Sequence, residues 1–420
     1  MGSETAEAGS TNRVGVPLIA IATIIAGISG YLVIWAVPRQ AGFEAYAVFA
    51  VFWAVLYFIV GCLFGFQQEV TRAISARSPA SDSSHGVSTV RFALGTAGVV
   101  GLVVAATSPL WAPSAFGAGN LVLLVPLVAG SLAYVGVAAG SGVISGLGLW
   151  PDLALIVSLD GVLRLAAVLA VLGLDGDVVL LAWAVIAPFP VALGVVLFRA
   201  RARIRPARYV EGTYRSLYWN SSRTMLAAAA MSLLVAGFPA LLAFAAGGVE
   251  PAYFGALVLV ITILRAPLLV PLTAFQGFLV VYFTARQSRV IPTVLFLLGG
   301  VALGTAILAV AIALWGTALF GWLFGPGVLP VADLLAPLVL VSGLIAGLYV
   351  TGPAILTRGG HAAYTTGWVV AAVLAAAGLV LPIPLGERVL VALAVGPGMG
   401  LLVHLIWIVR STRLNASAIP

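Results

Sequence analysis

The hydrophobic pattern of the chain is a series of continuous apolar runs separated by short polar connections. The runs are rich in Leu, Val and Ala, and they lack the alternation of apolar and polar positions that a barrel strand requires. A helix needs about 20 apolar residues to cross the hydrocarbon core of a bilayer. Only helices and closed barrels satisfy their own backbone hydrogen bonds there. The pattern therefore predicts an all-α integral membrane protein.

About twelve runs are long enough to be transmembrane helices. They lie at residues 14–37, 45–66, 89–108, 120–145, 155–173, 178–198, 223–245, 252–272, 291–315, 331–354, 363–381 and 387–408. The first run is too long for the core of a signal peptide, so we expect it to be the first span. The polar residues 1–13 before it are predicted to be a disordered cytoplasmic N-terminus.

The composition leaves no room for a second kind of domain. Of the 420 residues, 62% are hydrophobic and 8% are charged, and no polar stretch is long enough for a soluble catalytic domain. The single cysteine, Cys62, lies in an apolar run, which excludes disulfides and a thiolate metal site. The sequence also contains no phosphate-binding loop and no zinc-protease motif. We therefore expect neither enzyme activity nor a metal or cofactor.

The positions of the arginines predict the orientation in the membrane. All 20 basic residues are Arg, and the net charge is +7. With the N-terminus inside, only Arg39 and Arg388 fall in external connections, whereas nearly all the others fall in cytoplasmic ones. The positive-inside rule then places both termini in the cytoplasm. The lack of Lys and the abundance of Ala, Val and Gly favour a bacterial source, and hence a bacterial plasma membrane. The basic charge is thus assigned to topology and lipids, not to nucleic acid.

An Arg-rich connection at 199–222 divides the chain near its midpoint. It separates a predicted N-terminal lobe at 14–198 from a C-terminal lobe at 223–408, each with six spans, and a cytoplasmic tail follows at 409–420. The arginines of this linker are interpreted as topological signals and contacts to lipid headgroups.

The two halves also resemble each other in sequence. GFQQEVTRAISAR at 65–77 aligns with AFQGFLVVYFTAR at 274–286. The identities are Phe66, Gln67, Ala76 and Arg77 in the first segment and Phe275, Gln276, Ala285 and Arg286 in the second. Because both segments follow the second span of their half, the pattern predicts two pseudo-symmetric lobes around a central cavity, as in transporters built from parallel repeats.

Charged residues inside spans are costly and usually mark function. Arg265 lies deep in the eighth predicted span and is followed by Pro267 and Pro271, which predict a bend. A guanidinium beside a bend suits a phosphate-bearing substrate, because it binds phosphate oxygens with a two-pronged fork. The alternatives are that Arg265 reaches the cytoplasmic surface or pairs with an acid on another helix.

Asp160 and Arg164 form a second intramembrane feature, in the fifth predicted span. Their i,i+4 spacing places them on one helical face with the acid first, which is the favourable order for an ion pair. A local ion pair is a sufficient structural explanation, and a role in binding an ion or substrate is equally compatible with the sequence.

The second predicted span ends in a polar segment that continues an aromatic face. Trp53 and Tyr57 precede Gln68 and Arg72 at helical spacing. Aromatic rings followed by an amide and a cation suit a sugar–phosphate. An interfacial aromatic belt, with Glu69 and Arg72 as a solvated pair, is the alternative.

These features define two sets of candidates. The predicted substrate-binding residues are Arg265, Arg72, Gln68, Trp53, Tyr57, Arg164 and Gln276. The predicted ion-coupling residues are Asp160, Glu69 and Asp333. Asp333 could instead complement the dipole at a helix terminus. We expect His404 to make a helix–helix hydrogen bond.

The segment ISGYLVIWAVPRQAGFEAYAVFAVFWAVLYFIVGCLFGFQQEVTRA at 28–73 resembles the start of bacterial polysaccharide-biosynthesis flippases. These belong to the multidrug/oligosaccharidyl-lipid/polysaccharide (MOP) exporter superfamily. The Asp160–Arg164 segment, Arg265-Ala-Pro267 and the terminal GPGMGLLVHL add to the resemblance. It implies two six-helix lobes around a cavity that opens alternately to each side of the membrane. Cationic residues of that cavity would contact a polyprenyl-diphosphate-linked oligosaccharide.

The expected function is therefore a flippase for such a lipid, in surface polysaccharide synthesis. Its expected partners are this glycan substrate, membrane lipids, and a glycan polymerase and glycosyltransferases of the same pathway. An ion-coupled drug or small-molecule exporter of the superfamily remains open, and so do a non-transporting scaffold and a sugar–proton symporter. A membrane glycan polymerase or ligase is a further alternative, against which the short external connections argue.

Overall fold

A computed structural model describes residues 2–76, 86–286 and 289–417 of the chain. Side chains are described within these ranges except at 2–16, 206, 274, 277 and 413–417. The prediction that 1–13 is disordered falls on the part without described side chains and stays a prediction.

The described residues are helical apart from a two-stranded ribbon and short connections. The α-helices are α1 Gly2–Ser75, α2 Thr89–Phe116, α3 Leu124–Gly146, α4 Trp150–Gly173, α5 Val178–Ile186, α6 Pro188–Ala200, α7 Tyr214–Val235, α8 Phe238–Ala245, α9 Pro251–Ala274, α10 Gln276–Thr284, α11 Val290–Phe324, α12 Leu335–Leu356, α13 His361–Gly378 and α14 Leu385–Ser417. Turns of 3₁₀-helix lie at Ala118–Leu123, Arg205–Arg208 and Pro326–Leu334. The strands are β1 Val87–Ser88 and β2 Tyr209–Val210, paired antiparallel. The all-α prediction is confirmed.

Nine helices of the described residues are long and apolar enough to cross a membrane, or ten when the broken pair α7–α8 counts as one span. One of the nine, Pro17–Ser75, has 59 residues. At about 1.5 Å per residue it is roughly three times as long as a bilayer core is thick. It holds the first two predicted spans, divided by a kink at Gly42. The shorter helix α13 holds the predicted span 363–381, so each of the twelve predicted spans lies on helix.

The chain divides into two compact units whose bounds differ from those of the predicted lobes. The first unit contains residues 1–41 and 51–232, and the second contains 42–50 and 233–420. The division near the midpoint thus falls within α7 and not in the predicted linker 199–222.

The predicted linker is part of the first unit because its apolar residues are buried there. Val210 of β2 pairs with Val87 of β1, and the Thr89 hydroxyl donates to the Ala207 carbonyl oxygen at 2.7 Å. Val210 and Leu217 belong to a buried cluster that includes Phe66, Phe92 and Leu63. The sequence predicted an Arg-rich cytoplasmic linker, and in the structure two-residue strands and a few buried apolar side chains fix this segment to the helices.

The N-terminal part of α7 packs directly on α1 within the first unit. A Cβ atom at Gly65 would lie 2.5 Å from the Met225 backbone nitrogen, so only glycine fits this approach. The Thr224 hydroxyl donates to the Gly65 carbonyl oxygen at 2.9 Å, and the Ser232 hydroxyl donates to that of Phe58 at 3.1 Å. These contacts explain why the first unit extends to Ser232.

In the second unit, Phe43 packs against Gly255 and Gly327, which have no side chain in its way. This contact explains why residues 42–50 group with the second unit.

Elsewhere in the second unit, the Thr351 hydroxyl is 2.8 Å from His404 Nδ1, and His404 Nε2 is 3.2 Å from the Tyr364 carbonyl oxygen. The imidazole thus joins α12, α13 and α14, and the predicted helix–helix hydrogen bond is confirmed.

The two segments of the predicted repeat differ in local structure. Phe66 and Gln67 lie inside the continuous helix α1, whereas the chain breaks at Phe275, between α9 and α10. Arg77, one of the aligned arginines, lies outside the described residues. Its counterpart Arg286 has its guanidinium carbon 3.9 Å from the centre of the Tyr282 ring.

Gly42 has φ 83° and ψ 168°, a conformation that only glycine adopts readily. We expect Gly42→Ala to lower the free energy of unfolding by about 1–3 kcal/mol, because a Cβ is strained there. Thermal unfolding of the detergent-solubilised protein measures the change. The control is Gly27→Ala in the regular part of α1, where a Cβ meets nothing within 4 Å. Equal stability of the two variants would contradict the role given to the kink.

Candidate functional site

Asp160 and Arg164 lie one turn apart on α4 and form an ion pair inside the first unit. Arg164 Nη2 donates to Asp160 Oδ2. The side chain of Arg164 is 7% exposed and that of Asp160 is 20% exposed, so the pair is largely shielded. The ion pair predicted from their spacing is confirmed, whereas a functional role stays a prediction.

Aromatic rings surround the Arg164 guanidinium. Its carbon lies 5.8 Å from the ring centre of Trp53, 5.4 Å from that of Tyr57 and 5.8 Å from that of Phe189. Trp53 and Tyr57 stack on each other with 4.7 Å between ring centres, and Tyr134 meets Phe189 edge-on at 5.0 Å. Rings at these distances stabilise a cation through their negative faces. We call these side chains the Arg164 cluster: Trp53, Tyr57, Tyr134, Asp160, Arg164 and Phe189.

The Arg164 cluster keeps hydrogen-bonding capacity that the described residues do not use. Asp160 Oδ1, Arg164 Nε and the Tyr57 hydroxyl are buried and have no hydrogen-bond partner. Buried polar atoms are nearly always paired, so three unpaired atoms in one cluster call for an explanation. The cluster offers one acceptor, one cationic donor and one hydroxyl to a polar ligand or an ion.

Glu69, Arg72 and Asn220 form a separate polar cluster between α1 and α7. Arg72 donates through Nε to Glu69 Oε2 at 2.8 Å and through Nη2 to Glu69 Oε1 at 2.6 Å. Asn220 Nδ2 adds a bond to Oε1 at 3.1 Å. The side chain of Glu69 is only 3% exposed, although that of Arg72 is 56% exposed. The Glu69–Arg72 pair of the alternative prediction is therefore present and its Arg72 side is solvated, whereas Asn220 and the helix contact cover the Glu69 carboxylate.

Arg265 lies in the second unit, on α9, and is 5% exposed. Its Nη1 donates to the Leu234 carbonyl oxygen at 3.2 Å, and its guanidinium carbon lies 4.9 Å from the centre of the Phe238 ring. Both partners flank the break between α7 and α8, where helical carbonyl oxygens lose their own partners. A cation is favoured at such a helix C-terminus.

The rest of the Arg265 guanidinium is unsatisfied. Its Nε and Nη2 are buried without a hydrogen-bond partner, and no Asp or Glu among the described residues forms an ion pair with it. The side chain does not reach the surface, because the Leu234 carbonyl oxygen and the Phe238 ring hold it inside, so the first structural alternative from the sequence is wrong. The second alternative, pairing with an acid on another helix, is not seen among the acids that the structure describes.

The remaining candidates lie outside these three sites. Gln68 is exposed on α1, and Asp333 is exposed in the 3₁₀ turn before α12. Gln276 is half-buried as the first residue of α10. The structure thus brings Trp53 and Tyr57 to the Asp160–Arg164 pair, which the sequence treated as separate features.

Sequence reasoning missed Tyr134, Phe189 and Asn220. Each is an aromatic or amide residue in a span or beside an Arg-rich segment, where such residues are common. Only one general expectation could have indicated them, which is that a charged pair inside a span needs polar or aromatic neighbours. The sequence could not say which helix supplies them, since these contacts join residues far apart in the chain.

No family model matches the chain. Two curated relatives match over nearly their full length. The uncharacterized protein Rv1510 of Mycobacterium tuberculosis (strain ATCC 25618 / H37Rv) is 31% identical over 414 residues, which are 98% of this chain and 95% of the relative. The uncharacterized protein Mb3654 of Mycobacterium bovis (strain ATCC BAA-935 / AF2122/97) is 30% identical over 418 residues, with 98% and 96% coverage. The chain belongs to the family of these mycobacterial proteins. The spans described above identify it as a family of multi-pass membrane proteins.

Solved structures show which fold this mycobacterial family has. An inward-facing multidrug resistance MATE family transporter of the MOP superfamily matches with a TM-score of 0.74 at 16% identity, covering 95% of this chain and 96% of that one. The lipid II flippase MurJ in an inward closed conformation matches with 0.70 at 10% identity, covering 93% and 87%. The MATE multidrug transporter DinF-BH matches with 0.66 at 15% identity, covering 96% and 95%. The fold is that of MOP-superfamily transporters, as the resemblance implied.

The Asp160–Arg164 pair allows a test of its energetics. We expect Asp160→Asn to lower the free energy of unfolding by about 3–5 kcal/mol, because Arg164 would remain buried without a counter-ion. Adding Arg164→Met to Asp160→Asn should restore most of this loss, since an apolar side chain fits among the rings. Thermal unfolding in detergent compares the two variants. A double variant no more stable than Asp160→Asn would show that the pair does not act as a charge-compensating unit.

Proposed function

We propose that this protein is a flippase that moves a polyprenyl-diphosphate-linked oligosaccharide from the cytoplasmic to the outer leaflet. In this proposal it works by alternating access in a bacterial plasma membrane, with both termini cytoplasmic. The observation that carries the proposal is the state of Arg265, a buried guanidinium with two unused donor nitrogens and no ion-pair partner among the described acids.

The two unpaired nitrogens of Arg265, Nε and Nη2, are the same two nitrogens with which Arg72 binds a carboxylate. Arg72 holds the Glu69 carboxylate with its Nε and Nη2, as a two-pronged fork. Arg265 leaves these two nitrogens without a partner, whereas its Nη1 is fixed by the Leu234 carbonyl oxygen. Guanidinium forks fit phosphate oxygens as well as carboxylates. Arg265 is thus oriented by one bond, with its binding edge left for a diphosphate.

Charge compensation indicates the sign of the charge on the substrate. Neither a buried cation nor a diphosphate is stable alone in a low-dielectric region, and each lowers the cost of burying the other. The fold itself does not choose the substrate, because the solved MOP structures include both multidrug transporters and a lipid II flippase. A fixed, uncompensated cation favours an anionic substrate over the cations that an acidic site would select.

The other candidates take subsidiary roles in the proposal. Trp53 and Tyr57 would offer ring faces and a hydroxyl to sugar units, with Arg164 beside them. Gln68, Arg72 and Gln276 would be further polar contacts along the path. Among the proposed coupling acids, Asp160 is better placed than Glu69 because it keeps a free carboxylate oxygen, whereas both oxygens of Glu69 accept hydrogen bonds. Asp333, which is exposed, has the least support.

The second candidate function is an ion-coupled exporter of cationic small molecules. An acid within an aromatic cluster favours it, since rings and a carboxylate together attract cations. In this chain, however, the Arg164 guanidinium already lies among these rings and pairs with Asp160. A cationic substrate would have to displace an internal cation. A polymerase or ligase has less support, because the structural relatives are transporters.

The flippase would act between two enzymes of glycan assembly. Glycosyltransferases on the cytoplasmic side would build its substrate, and a polymerase on the outer side would use it. Membrane lipids would contact the protein and its lipid-linked substrate throughout.

Arg265 variants test the proposal in a leaflet-accessibility assay with a lipid-linked oligosaccharide in proteoliposomes. We expect Arg265→Lys to slow translocation about 10-fold, because an ammonium keeps the charge but offers no fork. Arg265→Gln should slow it about 100-fold, which corresponds to the 1.5–3 kcal/mol range of a charged hydrogen bond. Without substrate, Arg265→Gln should unfold no more easily than the wild type, since it removes an uncompensated buried charge.

The matched control is Arg388→Lys, also in the second unit. Arg388 donates to the carbonyl oxygens of Ile383 and Ala245, so its bonds are internal to the fold. We expect this variant to lose stability but to translocate normally per folded molecule. Translocation that is insensitive to Arg265 would remove Arg265 from the mechanism. A well-folded wild type that binds organic cations and does not translocate the lipid would favour the exporter.

A further inference from the structure

An apolar groove of about 770 Å³ lies within the second unit, between α9 and α11. Its α9 wall contains Pro267, Leu268 and Leu272, and its α11 wall is formed by side chains and glycines of residues 295–304. Ala346 of α12 contributes to its floor. Every residue that lines it is apolar or glycine, so the groove offers no side chain for a polar ligand.

Three glycines of α11 give the groove its width. A Cβ atom at Gly299, Gly300 or Gly304 would meet nothing within 4 Å. None of the three has a positive φ, so the backbone does not require glycine either. Glycine is less favourable than alanine in the interior of a helix. Neither helix packing nor a turn requires glycine at these three positions, and the effect of the glycines is to leave space in the groove.

Side chains at the α11 wall of the groove are exposed. Leu295, Phe296 and Leu303 of α11 are 60%, 74% and 64% exposed, on a helix that is long and apolar enough to span the bilayer. The surroundings of a helix that spans the bilayer core are hydrocarbon, so an apolar groove beside this helix suits a hydrocarbon chain.

Two of the three α9 residues that line the groove share a helical face with Arg265. Arg265, Leu268 and Leu272 are spaced i, i+3 and i+7 on α9, which places them on one side of the helix, whereas Pro267 lies on the other side. Arg265 and Leu272 are about 10 Å apart along the axis. An amphiphile with an anionic head at Arg265 would thus have an apolar trough beginning about one turn from its head. The charge at one end and the apolar lining at the other match a phosphate-linked hydrocarbon chain.

We propose that this groove binds the isoprenoid chain of the lipid-linked substrate. The inference rests on the proposed function and adds the site that holds the tail while the headgroup engages Arg265. An isoprenoid carries a methyl branch in every unit, and so it is wider than a straight acyl chain. The glycine positions leave that extra width on the α11 side.

The test uses a polyprenyl diphosphate with a photoreactive diazirine in its isoprenoid chain, and the full-length protein in lipid nanodiscs. In the wild type we expect cross-links on residues 267–272 and 295–304. Gly300→Leu should reduce them at least about 10-fold, since its Cβ meets nothing within 4 Å, its longer side chain fills the trough, and leucine is a better helix former than glycine. The matched control is Gly98→Leu on α2, where a Cβ also meets nothing within 4 Å. It should label like the wild type.

Two results would overturn the groove assignment. One is equal labelling of Gly300→Leu and wild type. The other is one-for-one competition by a phosphatidylglycerol of matched chain length, which would make the groove an ordinary lipid contact.

Translocation by the same variants separates this inference from the proposed function. If the wild type translocates the lipid-linked oligosaccharide and Gly300→Leu translocates it equally well, the groove assignment fails and the flippase stands. If labelling depends on Gly300 but the wild type translocates nothing, the isoprenoid site stands and the flippase fails. Loss of both labelling and translocation in Gly300→Leu alone supports both.

Discussion

The structure depends on one constraint, which is that backbone polar groups and charges inside a bilayer must find partners within the protein. Unbroken helices satisfy it along most of each span. At the break between α7 and α8, the Arg265 guanidinium donates to the Leu234 carbonyl oxygen. The broken span and the buried cation are therefore joined by one hydrogen bond.

Buried charges in this protein are compensated to different degrees. Glu69 accepts bonds from Arg72 and Asn220, and Asp152 accepts a fork from Arg203 at 2.8 and 3.0 Å. Arg164 pairs with the Asp160 carboxylate and lies among aromatic rings. Arg265 has one carbonyl oxygen and one ring face. In the proposed function, this difference separates the charges that stabilise the fold from Arg265, which would gain its counter-ion from the substrate.

The helices and their approximate ends could be predicted from the sequence, because the bilayer makes hydrophobic run length a direct measure of a span. The Asp160–Arg164 pair could be predicted as well, since both residues lie on one helix. What failed depended on contacts distant in sequence. The segment 199–222 was predicted as a linker between two lobes, yet Val210 pairs with Val87 and fixes it to the first unit. Tyr134 and Phe189 could not be assigned to the Arg164 cluster, because nothing local distinguishes them from other aromatic residues in spans.

The grouping of residues 42–50 with the second unit has a consequence for biosynthesis. The polypeptide passes between the units at residues 41–42, 50–51 and 232–233, so neither unit is a contiguous piece of chain. Phe43 leaves the ribosome before Gly255 and Gly327, against which it packs. At typical synthesis rates about 10 to 40 s separate Phe43 from Gly255. During that interval residues 42–50 lack the later residues of the second unit against which they pack.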